Sequence, residues 1–159
     1  MTETPIPDGA RRVAAKLAEL GHPHEVVMLP VTGRTAEDAA SALGVELGQI
    51  AKSIVFRRKS DDAAVLVVTS GDLRVDEKKV SALVGALGRA DADFVKASTG
   101  FSIGGVSPVA HTTPPVIVID RELFRFDRVW AAAGHPHAVF PLSPDELVVL
   151  TGAPVADVT

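Results

Sequence analysis

Residues 100–111 constrain the fold of this chain more than any other stretch of its sequence. They include three glycines and one proline, yet apolar residues rather than charged ones surround them. Glycine permits positive φ angles and a close approach of the backbone to a ligand, whereas proline fixes φ and donates no hydrogen bond. Such a turn can point amide N–H groups into a cleft, where they hold an oxyanion, a carbonyl or a phosphate. It can equally be a tight turn between two buried strands, because glycine and proline mark turns in every fold class.

The length and composition predict a globular protein without a membrane-spanning segment. A chain of 159 residues fits one domain, and we expect residues 1–159 to form it, with residues 1–8 as a short N-terminal arm. No apolar run approaches the roughly 18 residues that span a bilayer, and no secretory signal is present. Cysteine is absent, which excludes disulfides, a cysteine nucleophile and thiolate metal sites. We therefore expect a cytoplasmic enzyme or binding module.

The charge limits the partners that the chain can bind. Its formal net charge is −4, whereas proteins that bind long nucleic acids are usually basic, because phosphate contacts supply much of the affinity. We therefore predict no DNA partner and no broad contact with a duplex, but a local contact with one nucleic-acid end stays open. Lys52, Arg57, Arg58 and Lys59 form a local basic group, although strand alternation puts the two arginines on opposite faces.

Helix and strand signals are intermixed along the chain without a strict βαβ period. Capping residues and glycine stops predict helices over residues 9–20, 35–43, 76–87, 91–99 and 144–151. Apolar patterns predict strands over residues 25–29, 53–58, 63–69, 115–120, 129–133 and 138–140, with an edge strand over 155–158. We predict an α+β (mixed α/β) fold in which short helices surround one central, partly curled mixed sheet.

Lys52 is the first candidate for a functional residue. Residues 45–52 predict one or two helical turns that place Lys52 directly before the strand over residues 53–58. A lysine where a helix meets a strand lies at the edge of a sheet, where functional sites commonly form. The alternative is an ordinary solvated lysine.

Four separated motifs occur in one order along the chain: QIAKSIVF at 49–56, VVTSGD at 67–72, GGVSP at 104–108 and VID at 118–120. This order resembles the YbaK/ProX family, the aminoacyl-tRNA deacylase domain also found inserted in bacterial prolyl-tRNA synthetases. The resemblance covers most of the chain, from about residue 24 to 158, and its specificity comes from the order and spacing of several motifs.

The resemblance implies hydrolysis of the ester between a mischarged amino acid and the 3′-terminal adenosine of tRNA, most often tRNA-Pro, with no cofactor or metal. The substrate predicted here is tRNA-Pro carrying a small amino acid such as Ala or Cys. The lysine needed for activity in the family matches Lys52, and the family's G-x-x-x-P loop matches residues 104–108. The predicted catalytic residues are Lys52, Gly104 and Gly105. The predicted substrate-binding residues are Val106, Ser107, Pro108, Asp120, Ala132 and Gly134. The implied partners are the acceptor end of aminoacyl-tRNA and prolyl-tRNA synthetase.

Ester hydrolysis also fits the chemistry of these residues. Loop amides near Gly104 and Gly105 can hold the carbonyl or its oxyanion, and Lys52 can hold the terminal phosphate or the ribose. No Ser-His-Asp or Cys-His arrangement is recognisable in the sequence. We therefore expect catalysis mainly by positioning, with water as the nucleophile, assisted by the ribose hydroxyl of the tRNA.

Several alternatives stay open at this stage. Where several family members carry a serine, residues 131–133 are all alanine, so the wall offers no hydroxyl for a polar substrate side chain. His135 and His137 are either turn residues or substrate contacts, and His22 and His24 lack a nearby third metal ligand. The competing functions are a non-catalytic module that binds a tRNA acceptor end or a protein, and a small-molecule hydrolase that uses His111 or Asp120.

Overall fold

The computed structural model describes residues 7–23, 25–29 and 35–159. The described residues form five α-helices: α1 (Asp8–Glu19), α2 (Ala36–Leu43), α3 (Glu77–Val84), α4 (Ala92–Thr99) and α5 (Pro144–Thr151). They form eight strands: β1 (Val27–Met28), β2 (Ile50–Arg58), β3 (Ala64–Ser70), β4 (Leu87–Arg89), β5 (Val116–Asp120), β6 (Val129–Ala132), β7 (Ala138–Leu142) and β8 (Val155–Ala156). Two 3-10 helices, Leu47–Gln49 and Arg121–Arg125, precede β2 and follow β5.

All eight strands belong to one mixed sheet. Its order is β1-β7-β6-β2-β3-β5-β8, and β4 pairs with β2 beside this path. β2 and β3 form an antiparallel hairpin at its centre, while β2–β6, β3–β5 and β5–β8 are parallel pairs. The predicted mixed α/β class with a mixed sheet is confirmed.

Local capping signals determine where most of the helices begin and end. The Thr35 side chain accepts a hydrogen bond from the Asp38 N–H at the start of α2. Ser143 and Glu146 form the predicted capping box of α5. Gly44 and Gly100 adopt the left-handed conformation directly after α2 and α4, which glycine adopts without a steric penalty.

The alternating side chains of β3 divide the core between the two faces of the sheet. Leu66 and Val68 pack into the cluster that contains α1 residues and Phe101. Val65 and Val67 pack with Val80 of α3 on the other side. All seven β3 residues are buried, because the strand lies between β2 and β5 and has apolar layers on both faces.

Three local expectations are corrected by the structure. β2 begins at Ile50, so Lys52 is its third residue and does not precede the strand. The strand starts early because Ile50 and Ala51 already pair with β6, a partner nearly 80 residues away that local patterns cannot show. Leu87–Arg89, expected at the end of a helix and in the turn after it, is strand β4. Asp8 is the first residue of α1 and does not cap it through its side chain.

Some expectations concern residues that the structure does not describe. Residues 1–6 of the predicted arm, and His24, lie outside the described ranges. Among the residues that are described, no helix has both the length and the apolar character needed to cross a lipid bilayer.

Candidate active site

The candidate site lies where two parallel strands separate. β2 pairs with β6 at its first two residues and with β4 at its last three, Phe56 to Arg58. Between these pairings no strand of the described chain contacts that edge of β2. The Arg58 N–H donates to Ala63 on the β3 side, and the Lys59 N–H donates to Ala86 on the β4 side. Because successive residues point their N–H and C=O groups to opposite sides of a strand, the backbone of Ser53 faces the gap.

A cavity of about 270 Å³ opens at this gap. Its floor is formed by residues of β2 and β6 beside the gap, and residues of α2, β7 and the loop 103–106 complete the lining. The lining residues are Thr35, Ala36, Ala39, Ile50, Ala51, Lys52, Ser53, Ile54, Ile103, Gly104, Val106, Trp130, Ala132, Pro136, Ala138 and Val139. Most of these side chains are small or aliphatic, so the cavity is a mainly apolar space with few polar groups.

Lys52 is the charged side chain of this lining. It is half-buried on β2 opposite Thr69 of β3. Within the described chain, its ammonium group has no carboxylate within 4 Å and no hydrogen-bond acceptor. A cation without a protein counter-ion at an apolar cavity attracts an anionic group or a developing negative charge. Lys52 therefore lies at the cavity, and its catalytic role stays a prediction.

The glycine-rich loop presents only some of its residues to the cavity. Gly104 and Val106 line it, and their amide N–H groups donate to no acceptor in the described chain. Gly105 is buried, and its N–H already donates to the carbonyl of Ser102. Gly105 and Gly134 border a neighbouring cavity near the start of α1. The catalytic roles of Gly104 and Gly105 thus stay predictions, and the Gly104 and Val106 N–H groups have no acceptor among the described residues.

His111 and Arg12 contact the backbone at the end of the loop. The Ser107 hydroxyl accepts the Val109 N–H at 3.2 Å, and His111 Nε2 lies 2.6 Å from the Ser107 carbonyl oxygen. Burial lowers the pKa of His111, so its neutral form can donate Nε2–H to that carbonyl. The Arg12 guanidinium donates to the carbonyl of Ala110 and lies 4.6 Å from the centre of the Phe101 ring. His111 therefore stabilises the loop and does not line the cavity.

Four of the six predicted substrate-binding residues do not line the cavity, namely Ser107, Pro108, Asp120 and Gly134. Pro108 lines a separate groove beside α1 and α5. Asp120 is fully buried, and its carboxylate accepts hydrogen bonds from the Thr69 hydroxyl at 2.8 Å and the Glu122 N–H at 2.9 Å. The carboxylate thus joins β3 to the turn after β5, and it does not line the cavity. Ala132, in contrast, lies on the cavity floor as expected.

Sequence reasoning did not identify Trp130 or Ser53 as site residues. Trp130 Nε1 and Ser53 Oγ are buried and lack a hydrogen-bond partner in the described chain, and both residues line the cavity. Buried polar atoms are nearly always paired in folded proteins. Ser53 follows Lys52 directly, which is a weak signal, but no local pattern singles out Trp130.

Other charged groups are arranged away from the cavity. Arg57 pairs with Asp62 at 3.5 Å, and Arg58 pairs with Asp61 at 2.7 Å. The hydrogen bond from Arg58 is the main cause that lowers the pKa of Asp61 to about 2. The two arginines of the local basic group expected from the sequence are therefore paired with carboxylates. Among the residues that the structure describes, no three His, Asp or Glu side chains converge as metal ligands would.

The chain is similar in sequence to several known proteins. The chain is 33% identical over 138 residues to the uncharacterized protein YwhH of Bacillus subtilis, covering 86% of this chain and 87% of YwhH. It is 27% identical over 130 residues to EbsC of Enterococcus faecalis, proposed as a Cys-tRNA(Pro)/Cys-tRNA(Cys) deacylase, covering 79% of this chain and 77% of EbsC. It also matches a proline–tRNA ligase of Thermoanaerobacter at 30% identity over 105 residues, but that match spans only 18% of the ligase.

The same relation appears among solved structures. A crystal structure of a proposed trans-editing enzyme for prolyl tRNA synthetase superposes with a TM-score of 0.91 and 44% identity, covering 98% of this chain and 99% of that chain. Residues 31–150 match the family described as the aminoacyl-tRNA editing domain, and this range includes β2, the loop 103–106 and β6. The chain belongs to the aminoacyl-tRNA editing domain family, related to prolyl-tRNA synthetase editing.

Proposed function

We propose that this chain is a trans-acting hydrolase that deacylates mischarged tRNA, with tRNA-Pro carrying a small amino acid such as Ala or Cys as its substrate. The observation that carries the proposal is a Lys52 ammonium without a partner in the described chain, beside a mainly apolar cavity lined by Gly104 and Val106, whose N–H groups have no acceptor among the described residues. Membership of the editing-domain family supports the same chemistry.

The cavity favours a small acyl group over a large one. Alanine side chains contribute much of its wall, namely Ala36, Ala39, Ala132 and Ala138, and its volume is about 270 Å³. An apolar wall distinguishes neighbouring side chains by about 1–3 kcal/mol per methylene. Such an apolar lining would suit a small uncharged side chain and would separate Ala from Cys by only a small free-energy difference.

The reaction would proceed mainly by positioning. The amides of Gly104 and Val106 would hold the acyl carbonyl oxygen as it gains negative charge, and Lys52 would hold the terminal phosphate or ribose. Water would attack the carbonyl carbon, the ester C–O bond would break, and the ribose oxygen would leave with a proton. Removal of one such electrostatic contact typically costs about 10²-fold or more in rate.

A deacylation assay tests the proposal. The substrates are tRNA-Pro charged separately with Ala, Cys, Ser and Pro, and the proteins are wild type, Lys52→Ala and Lys78→Ala. Lys78 is an exposed lysine on α3 outside the cavity, so its variant controls for loss of a positive charge. We expect wild type and Lys78→Ala to hydrolyse a small mischarged species, and Lys52→Ala to be slower by about 10²-fold or more.

Two results would contradict the proposal in different ways. Full activity of Lys52→Ala would remove Lys52 from the mechanism. Binding of the charged tRNAs by wild type without hydrolysis of any would favour the non-catalytic binding module.

A further inference from the structure

Trp130 brings an unsatisfied hydrogen-bond donor to the edge of the candidate catalytic cavity. Its Nε1 atom is buried and has no acceptor in the part of the chain that the structure describes, and the residue lines the cavity. The indole N–H can only donate. Because a buried donor without an acceptor is unfavourable, the position of Trp130 at a cavity points to an acceptor that a ligand supplies.

The sheet register places this donor on the same face as Lys52. Trp130 of β6 pairs with Ile50 of β2, and side chains two residues apart on a strand share a face. Ile50, Lys52 and Ile54 therefore lie on the face that Trp130 occupies, and all four line the cavity. The Ser53 side chain, the other unpartnered group, points to the opposite face by the same alternation.

The other described side chains on this face offer few acceptors for the Trp130 indole N–H. Ala36 and Ala39 of α2 and Val139 of β7 are aliphatic. The Thr35 hydroxyl accepts the Asp38 N–H as the cap of α2. Among the described residues on this face, a ligand therefore meets one cation and one neutral donor beside aliphatic side chains, a combination that favours a group rich in acceptor oxygens.

We propose that the Trp130 indole N–H binds an acceptor oxygen at the reacting end of the substrate, either the acyl carbonyl oxygen or a ribose oxygen. This inference rests on the proposed deacylase function and adds a binding residue to it. The hydrogen bond fixes the aminoacyl ester on the cavity floor beside Lys52, and the aliphatic walls then limit the size of the acyl side chain.

Intrinsic fluorescence can report on this contact, because Trp130 is the one tryptophan of the chain and the chain has no tyrosine. Wild type is titrated with a minihelix that carries alanine through a non-hydrolysable amide, and with the same uncharged minihelix. Anisotropy of a dye on the minihelix measures binding independently. A change in tryptophan emission with the alanylated minihelix alone identifies the carbonyl oxygen, and equal changes with both identify a ribose oxygen. Saturated binding without any change in emission overturns the proposal.

Kinetics of Trp130→Phe provide the second test, because this variant keeps an aromatic ring and removes the N–H. We expect kcat/KM for deacylation to fall by roughly three- to tenfold, the range that one neutral hydrogen bond supplies. The melting temperature should change by less than about 4 °C, since the lost donor has no partner in the protein. Phe124→Leu is the matched control, because Phe124 is 40% exposed and lies outside the cavity.

The outcomes separate this inference from the function on which it rests. If wild type deacylates tRNA and Trp130→Phe does so equally well, the Trp130 contact is refuted and the deacylase proposal stands. If wild type deacylates none of the charged tRNAs while emission still changes on binding, the deacylase proposal fails and the contact is retained as a binding contact.

Discussion

Two adjacent glycines in the loop are required for different physical reasons. Gly104 has φ of +92°, and a Cβ there would meet no atom within 4 Å. Gly105 has no positive φ, but a Cβ there would lie 2.9 Å from the backbone Cα of His135. Gly104 is therefore needed for backbone conformation, and Gly105 is needed for close packing of the loop against the turn between β6 and β7.

Gly105→Ala is expected to destabilise the protein by about 1–3 kcal/mol, the usual cost of overpacking a tight contact. The overlapping atoms belong to the backbone of His135, so no flexible side chain can move aside. Urea unfolding followed by circular dichroism measures the change. Gly104→Ala is the matched comparison, because it adds the same methyl group without overlap and costs about 1–2 kcal/mol through its left-handed backbone. A Gly105→Ala variant as stable as wild type would show that the loop does not pack this closely.

At the level of elements, one arginine joins the turn after β3 to the two 3-10 helices. Arg125 donates to both Asp72 carboxylate oxygens, at 2.9 and 3.2 Å, and to the Ser70 hydroxyl at 2.8 Å. The Ser70 hydroxyl in turn donates to the carbonyl of Gly48, two residues before β2. This network anchors the start of the strand that carries Lys52. Through these contacts the VVTSGD motif positions β2 without lining the cavity.

The Asp72–Arg125 pair predicts a pH-dependent part of the stability. The hydrogen bond from Arg125 is the main cause that holds the pKa of Asp72 below its ordinary value of 3.8. A carboxyl group with a lowered folded-state pKa adds stability above its unfolded pKa, and that stability is lost as the pH falls through the folded value. Because both side chains are about one third exposed, solvent screens the pair, and we expect Asp72→Asn to cost about 0.5–1 kcal/mol at pH 7.

Urea unfolding at pH 7 and near pH 2 measures this difference. The gap between wild type and Asp72→Asn should be largest at pH 7 and should shrink toward zero as Asp72 becomes protonated in wild type. Asp127→Asn serves as the control, because Asp127 is exposed and should show little effect at either pH. A gap that is the same at both pH values would contradict the ionic origin of the stabilisation.

At the scale of the whole molecule, the parts that the sequence predicts are those with local causes. Thr35, Ser143 and the glycines after α2 and α4 signal helix ends through contacts within a few residues. The parallel pairing of β2 with β6 joins residues 50–51 to residues 130–131, and no local pattern encodes it. The early start of β2 depends on this pairing, and strand β4 depends on its own pairing with residues 56–58 of β2. Local sequence patterns therefore predict neither.

The same distinction applies to the candidate site. Lys52, Gly104, Val106 and Ala132 are predicted from the family resemblance, and all four line one cavity. The wall from α2 and the donor from Trp130 depend on the order of strands in the sheet, so sequence reasoning did not include them. Residues that come next to each other in a motif can face opposite ways, and for this reason Ser107 and Pro108 do not line the cavity with Val106.

The distribution of charge over the molecule predicts weak and moderately salt-dependent binding to tRNA. The net charge is −4, and several cations are engaged by carboxylates: Arg57, Arg58, Lys79 and Arg125. Lys52 is not paired within the described chain, so contact should be limited to the few phosphates near the acceptor end. With two or three phosphates at about 0.7 each for a single strand, the plot of log K against log salt should have a slope of about −1.4 to −2.1.

Anisotropy titrations of a labelled, uncharged minihelix at several salt concentrations measure this slope. Lys52→Ala should make the slope shallower by about 0.7, because one phosphate contact of a single strand is lost. Lys78→Ala removes an exposed charge outside the cavity and should leave the slope unchanged. A slope near −6 in wild type would mean that the protein binds the duplex backbone over many phosphates. In that case recognition would not be confined to the acceptor end, and a basic surface away from the cavity would have to supply the affinity.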